Sequence, residues 1–550
     1  MKEECKGERS RGELSVYLAL MLAVMIPLIV TMMNAARISA MKLQVECALD
    51  MGMDSMMAEY HRELLEQYDL LMIDTAYEQE FGSLDHTLEH LEGYLSYNLN
   101  PDKDVLVWGA RDLYGLSIDS LELVRVSRAT DDNGKVFRNM VMAYMLERYG
   151  LAYISDAKDL VTTSESANIY NSDIVADNYA SQAQIDGIRV EETQIRTVER
   201  TVQTVSGDEI ITQVVEEEIE ETVLVKPQMD DPTTTVAAAT HSGILSMVCK
   251  GGISARTITP SNYVSGRTLI RGNGVSEEWK EYNNLEEQLL FNEYILEKCG
   301  NYIEPKDNSL LCYEVEYILF GTASDADNLE KVATRLLLLR GGANTAYFFT
   351  DSELVQEART LAEGLSVITT LPELEPVFEA AIISAWIFAE SVVDVRDLFD
   401  GKRVPLIKTK GEWRLSLENA LSFALDSASD AVSEHSSGDG NAQGTAPDGA
   451  APEGAAPGSE VPSGTASSGT GEEERTPGLN YKDYLRLMLY TVSLDERTMR
   501  CMDVVEMDIR KAEGNASFCL DNCIAAATVQ GVFQSRYGYE FLVERNFCYY

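Results

Sequence analysis

The sequence predicts an α+β protein carried on an N-terminal transmembrane helix, and three observations lead there. Leu14 to Met33 is an almost wholly apolar run of twenty residues with no charge inside it. At about 1.5 Å per helical residue it reaches about 30 Å, the thickness of a bilayer's hydrocarbon core. Beyond it, stretches with apolar residues every three or four positions alternate with short β-branched runs, the pattern of mixed helices and strands. Late in the chain, residues 427–477 hold Gly, Ala, Pro, Ser and Glu with scarcely a large apolar side chain, so they are expected to be disordered rather than to form a domain.

Composition sets outer limits. The chain has 550 residues, enough for two or more domains, and 45% apolar content, enough to fill ordinary cores. Its 90 acidic against 45 basic residues leave a formal charge of −45, which would repel phosphate backbones. Nucleic acid is therefore not an expected partner.

Residues 1–13 are the expected cytoplasmic head and 14–33 the span, a single-pass anchor in the cell membrane. Lys2, Lys6, Arg9 and Arg11 precede the span, against Arg37 and Lys42 after it, which places the N-terminus inside and the bulk outside. A cleaved signal peptide would have an apolar core nearer 7 to 15 residues, and Asn34-Ala35-Ala36 makes a poor cleavage site. Pro27 is tolerable in such a helix. Residues 34–69 form an amphipathic stem, because Leu49, Met53, Met56, Tyr60 and Leu64 recur at helical spacing; one helix is expected to run to near Tyr68. Its apolar stripe needs a partner, either its own domain or the same stem in a second copy.

Residues 70–188 make a first α+β region. It contains a strand at Leu70–Asp74, a helix at Leu84–Tyr97, a strand at Ser120–Arg128, a turn at Asp131-Asp132-Asn133-Gly134 and a helix at Val136–Tyr153. Residues 189–226 alternate β-branched and charged side chains around Ser206-Gly207-Asp208, a long hairpin arm made acidic by Glu216-Glu217-Glu218. A second α+β region, 227–426, has a helix at Leu285–Cys299, a strand at Leu311–Phe320 and a cap at Ser324 with Asp327 three residues on. Helices at Leu329–Leu339, Asp351–Leu361 and Glu373–Leu398 follow. Within the last, Ala380–Val393 is apolar but interrupted by Glu390 and bounded by Glu379 and Asp394, so a buried core helix is expected rather than a second span. Residues 478–550 carry a helix through Tyr481, Tyr484, Leu485 and Met488, another near Arg500–Arg510, and strands from Phe518 to Val529 and from Tyr539 onward. A tail that short makes a thin core. The stretch 427–477 is therefore read as an insertion within one fold.

Few residues suggest chemistry. Nine cysteines are scattered, with Cys5 in the head and no CxxC pair; eight on the outer side permit disulfides in 105 pairings. His86-Thr87-Leu88-Glu89-His90 matches the H-x-x-E-H pattern of inverted zinc metallopeptidases, with His86 and His90 on one helical face, Glu89 as base and Glu165 available as third ligand. The surrounding helix lacks a long apolar frame, so an exposed polar helix is the preferred reading. His61, His241 and His435 fall in settings that assemble no Ser/His/Asp set, and Gly272-Asn273-Gly274 lacks a third glycine. No catalytic, cofactor-binding or metal residue is assigned. No cofactor is expected.

Several segments carry a resemblance. They are Gly12 to Leu20, Ala35-Ala36-Arg37, Tyr60-His61-Arg62-Glu63-Leu64-Leu65-Glu66-Gln67-Tyr68-Asp69-Leu70, Tyr317 to Gly321 with Asn328 to Arg340, Ala385 to Val395 with Val404 to Lys410, and Leu479 to Arg486. Together they resemble a bacterial single-span membrane family catalogued as a domain of unknown function. Its N-terminus is similar to the minor pseudopilins of tight-adherence (Flp-type) pilus systems, although Tyr17 stands where their processing site has Glu. The resemblance implies an extracytoplasmic structural or assembly protein of the bacterial cell envelope, accessory to a pilus or secretion apparatus and working through protein partners. The alternative is a membrane-anchored zinc-dependent hydrolase using the H-x-x-E-H helix.

Overall fold

In the computed structural model, residues 6–77, 79, 81–99, 114–149, 190–206, 209–225, 243–274, 284–306, 309–368, 375–420 and 478–549 are described. The expected insertion at 427–477, the hairpin turn at 207–208 and Glu165 lie outside them.

Helix α1, Lys6–Met57, plays two parts in one element. From Leu14 to Met33 every side chain is exposed, and the helix is long and apolar enough to cross a membrane. Further on, Met41, Val45, Leu49, Met53 and Met56 are buried. Their spacing of three to four puts them on one stripe, which packs with Leu91, Leu95 and Leu99 of helix α3, Leu84–Leu99, against one face of a sheet. The stem's apolar stripe is thus covered by its own chain.

The stem does not run unbroken to Tyr68. It stops at Met57, and His61 is extended (φ −66°, ψ 115°), its N–H donating to the Met72 carbonyl at 2.8 Å. His61 Nδ1 accepts from the Leu64 N–H at 3.3 Å and so caps a second helix, α2, Arg62–Tyr68, which Asp69 ends in the left-handed region (φ 54°). Helical spacing survives across the break because Leu64 and Tyr68 are buried too, but in a different core. The break redirects the chain from the sheet's core to the helical one.

The sheet is antiparallel and centred on the C-terminal strand β5. Strand β1, Ile73–Asp74, is shorter than the expected Leu70–Asp74, while β2, Leu116–Arg128, is longer than the expected Ser120–Arg128. The other members come from the far end of the chain: β5, Cys523–Ser535, and β6, Glu540–Cys548. β2 pairs along β5 from Leu116↔Ser535 to Arg128↔Ile524, so β6 and the short β1 share its other edge. Phe518 and Leu520 precede this strand in a turn instead of belonging to it. A separate two-stranded ribbon, β3 Val190–Ser206 with β4 Glu209–Val225, pairs from Val190↔Val225 to Ser206↔Glu209, the expected long hairpin.

The helical body begins at α4, Asp131–Tyr149, whose Asp132, Asn133 and Gly134 lie at φ 51°, 55° and 78° and form the expected turn. After α5, Ile244–Val248, come α6, Asn284–Lys298, and α7, Glu314–Phe320. The last corrects the strand expected at Leu311–Phe320. A short run that is buried all round has no stripe to reveal its period, and Gly321 at φ 65° closes it as a helix. Ser324 caps α8, Asp325–Phe348, as expected, and α9, Ser352–Ile368, leads on to α10, Glu375–Phe399, which is buried in the core. Finally α11, Tyr481–Leu489, opens on a capping box between Asn480 and Asp483, and α12, Leu494–Lys511, packs with α4 and α7. The eight cysteines among the described residues are all free thiols.

Candidate functional site

The H-x-x-E-H residues lie on α3 but serve other contacts. His86 Nδ1 sits 3.2 Å from the Thr75 carbonyl, whereas His90 Nδ1 meets the Glu59 carboxylate at 3.0 and 3.1 Å. Glu89 is exposed. Among the described residues, the grouping able to offer three metal-binding atoms within 4.8 Å is Glu506, Cys519 and Asp521. Arginines already fill it: Arg267 bridges Glu506 and Asp521 at 2.8 and 2.6 Å, and Arg510 reaches Glu506 and, at 3.2 Å, Cys519. That arrangement is an ion-pair network.

A set of buried acids escaped the sequence reading because half of it stands on α7, expected as a strand. Glu314 accepts from the Gly300 N–H at 2.7 Å, and Glu316 from the Tyr302 N–H at 2.9 Å and the Tyr481 hydroxyl at 2.6 Å. On facing α12, Asp503 accepts from the Ser265 N–H at 2.8 Å and the Tyr317 hydroxyl, and Asp508 from the Tyr68 hydroxyl and the Lys306 ammonium, both at 2.6 Å. Desolvation pushes Glu314 up to about 8, Glu316 to about 7 and Asp503 to about 6. These carboxylates fasten the loops at 265 and 300–306 to the core, so their work is structural.

A cavity rich in polar side chains is left where α1 breaks into α2. It has a volume of about 310 Å³ and lies between that break, β1 and the loop after α12, with Glu59, His61, Asp74, Tyr77, Glu513 and Phe518 on its walls. Taking the helix rise, it stands about 35 Å along α1 from Met33. Because His61 Nδ1 accepts the capping bond, the ring proton is assigned to Nε2, which faces Asn515 Oδ1 at 3.1 Å. Both ring nitrogens are thus engaged by the chain itself. Phe518 packs on the same ring, centroids 4.7 Å apart. Asp74 takes one hydrogen bond, from the Ala76 N–H at 3.0 Å, and burial raises its pKa despite His61 nearby. Glu59 is held by the Tyr94 hydroxyl at 2.6 Å as well as by His90, whose ring lies 4.2 Å from that of Tyr77.

In the sequence His61 looked isolated among charged neighbours. The signal that could have singled it out is its place three residues before Leu64, at the cap of a separate helix; the continuing apolar period hid that boundary.

No curated protein and no solved structure matches the chain. A family model described as a family of unknown function (DUF5702) matches residues 224–444 and 459–535, more than half of the chain. The matched part includes α7, α8, α10, α11, α12 and all of β5, that is most of the helical body and the strand around which the sheet is built. The chain belongs to this family of unknown function.

Proposed function

We propose that the protein is a membrane-anchored, extracytoplasmic structural or assembly component of a bacterial cell envelope, accessory to a pilus or secretion apparatus. One observation carries this reading. A single helix, α1, is bare and apolar over Leu14–Met33 and built into a folded core over Met41–Met56. A span joined by a flexible linker would merely tether; here, turning the body relative to the anchor would unpack the sheet. The helix therefore transmits orientation as well as attachment, which suits a part held in register within an assembly. The N-terminal resemblance to pseudopilins agrees with such a stem, and the excess of basic residues before the span supports a cytoplasmic N-terminus.

The test is fractionation with protease protection in intact cells. An epitope placed within residues 427–477 should be accessible from outside and one at Met1 should not, with the chain resistant to carbonate extraction. Recovery in the soluble fraction, or the reverse accessibility, would overturn the reading. Pull-down from solubilised membranes should bring envelope or pilus subunits. Self-association through the stem belongs to the same proposal, and Cys47, exposed on α1, reports it as a disulfide-linked dimer under mild oxidation.

A further inference from the structure

We propose that the cavity at the α1–α2 break is a binding site for a basic side chain, arginine before lysine, presented by a polypeptide partner. The argument begins with charge. Glu59, Glu63, Asp74 and Glu513 line the cavity, and both ring nitrogens of His61 are already engaged, by the Leu64 N–H and by Asn515. Arg62, the basic residue among the described lining side chains, is turned to Glu66 at 2.8 Å and is 80% exposed. Among the described lining residues four carboxylates thus face one cation, Arg62, which is spent on Glu66.

Shape and wall chemistry then choose among cations. A bare divalent ion needs several oxygens converging at about 2.3–2.6 Å, yet among the described residues no three acids of this cavity bring their oxygens within 4.8 Å of one another. They are spread around aromatic surfaces instead. Tyr60, 39% exposed, and Tyr77, whose ring packs on that of His90, bring aromatic rings to its walls. A planar, delocalised guanidinium can stack on such faces while its fork of N–H groups reaches separated carboxylates; an ammonium does so less well. Asp74 is half-buried with a carboxylate that takes a single hydrogen bond, while Glu513 is exposed at the mouth. That order of burial fits a long side chain entering charge-first. The inference rests on the assembly reading only for the source of the side chain, since envelope assemblies are built from polypeptides.

The experiment uses the full chain in detergent micelles and N-acetyl-arginine amide as probe, with saturation-transfer NMR as readout and N-acetyl-norleucine amide as the uncharged control. Saturable binding of the arginine probe but not the norleucine probe is expected. Asp74→Asn should weaken it about tenfold through the lost charge-assisted bond, and Tyr60→Ala about threefold through the lost ring face. Glu122→Gln, on the distant strand β2, should bind as the parent does. Tyr60 is exposed enough that its replacement leaves folding intact, so the proposal stays testable if Asp74→Asn misfolds. Absence of saturable binding, equal binding by Tyr60→Ala, or calcium occupying the cavity and excluding the probe would each overturn it. None of these outcomes bears on membrane retention or pull-down, so a failed site and a failed assembly reading are told apart.

Discussion

Among the described residues two helices are long and apolar enough to cross a membrane, α1 and α10, and they meet opposite fates. Leu14–Met33 of α1 is exposed throughout, whereas most of α10 is buried. The difference lies in where charge is placed. Between Leu14 and Met33 there is none. On α10, Glu390 and Asp394 stand a turn apart and are wholly buried with Arg340 and Lys408, also wholly buried. Arg340 meets Asp394 at 2.9 Å, Lys408 meets Asp394 at 2.8 Å and also pairs with Glu390, and Glu390 takes the backbone N–H groups of Arg414 and Leu415 at 3.1 and 3.0 Å. Apolarity drives both helices out of water. Paired charge commits one of them to a protein interior, where partners from other elements can be supplied.

The largest effect should come from breaking that pairing. Asp394→Ala leaves Arg340 and Lys408 with only Glu390 between them, and loss of one partner from a buried charge set costs about 3–5 kcal/mol. Urea unfolding of the solubilised chain measures it; a loss below about 1 kcal/mol would mean that the network contributes little. The counterpart in α1 is Ile26→Arg, at a side chain 54% exposed. It should change folding stability by no more than about 0.5 kcal/mol while making insertion less favourable by about 2.5–3.5 kcal/mol, read as chain released by carbonate. Equal effects of both substitutions on folding would erase the distinction between the two helices.

A smaller, pH-dependent difference separates the acids of α10 from those of α7 and α12. The charged partners of Asp394 hold its pKa below the usual carboxylate range despite burial, so its contribution is present above the unfolded value and is lost only as pH falls through the folded one. Glu314, Glu316 and Asp503 are shifted the other way. Between about 4 and about 8 the folded state keeps protons that the unfolded state has released, so stability falls as pH rises through that window and levels above it. Unfolding midpoints recorded from pH 5 to 9 should show the fall, and Glu314→Gln should flatten it. A rise across the same window would show that other groups dominate. The smallest effect is at a helix start: Asn480→Ala removes a cap that accepts the Asp483 N–H at 2.9 Å and should cost about 1 kcal/mol in the same unfolding assay.

Where a segment carried its own period or its own cap, it was legible. The cap at Ser324, the turn at Asp131–Gly134 and the β3–β4 hairpin depend on neighbours in the chain, and the first of these is named from Ser324 and Asp327 alone. Where burial is all-round the period vanishes, which is why α7 read as a strand and its two carboxylates went unnoticed. The boundary at Met57 failed for a different reason. Helical spacing continued through Tyr60 and Leu64 because both sides of the break face apolar cores, and a sequence records that a residue is buried without recording where. The cavity was invisible for the same cause, since His61, Asp74 and Glu513 meet only when β1 pairs with β5 and the loop after α12 folds back.

The sequence by itself determined the apolar N-terminal helix, its basic flank and the α+β character, because these follow from composition and local spacing. Only the tertiary structure decided which apolar helix is covered, how residues beyond 478 complete a sheet begun before residue 130, and where acids gather around His61. Those outcomes depend on contacts between residues hundreds of positions apart, whose partners become definite only when the chain has closed on itself.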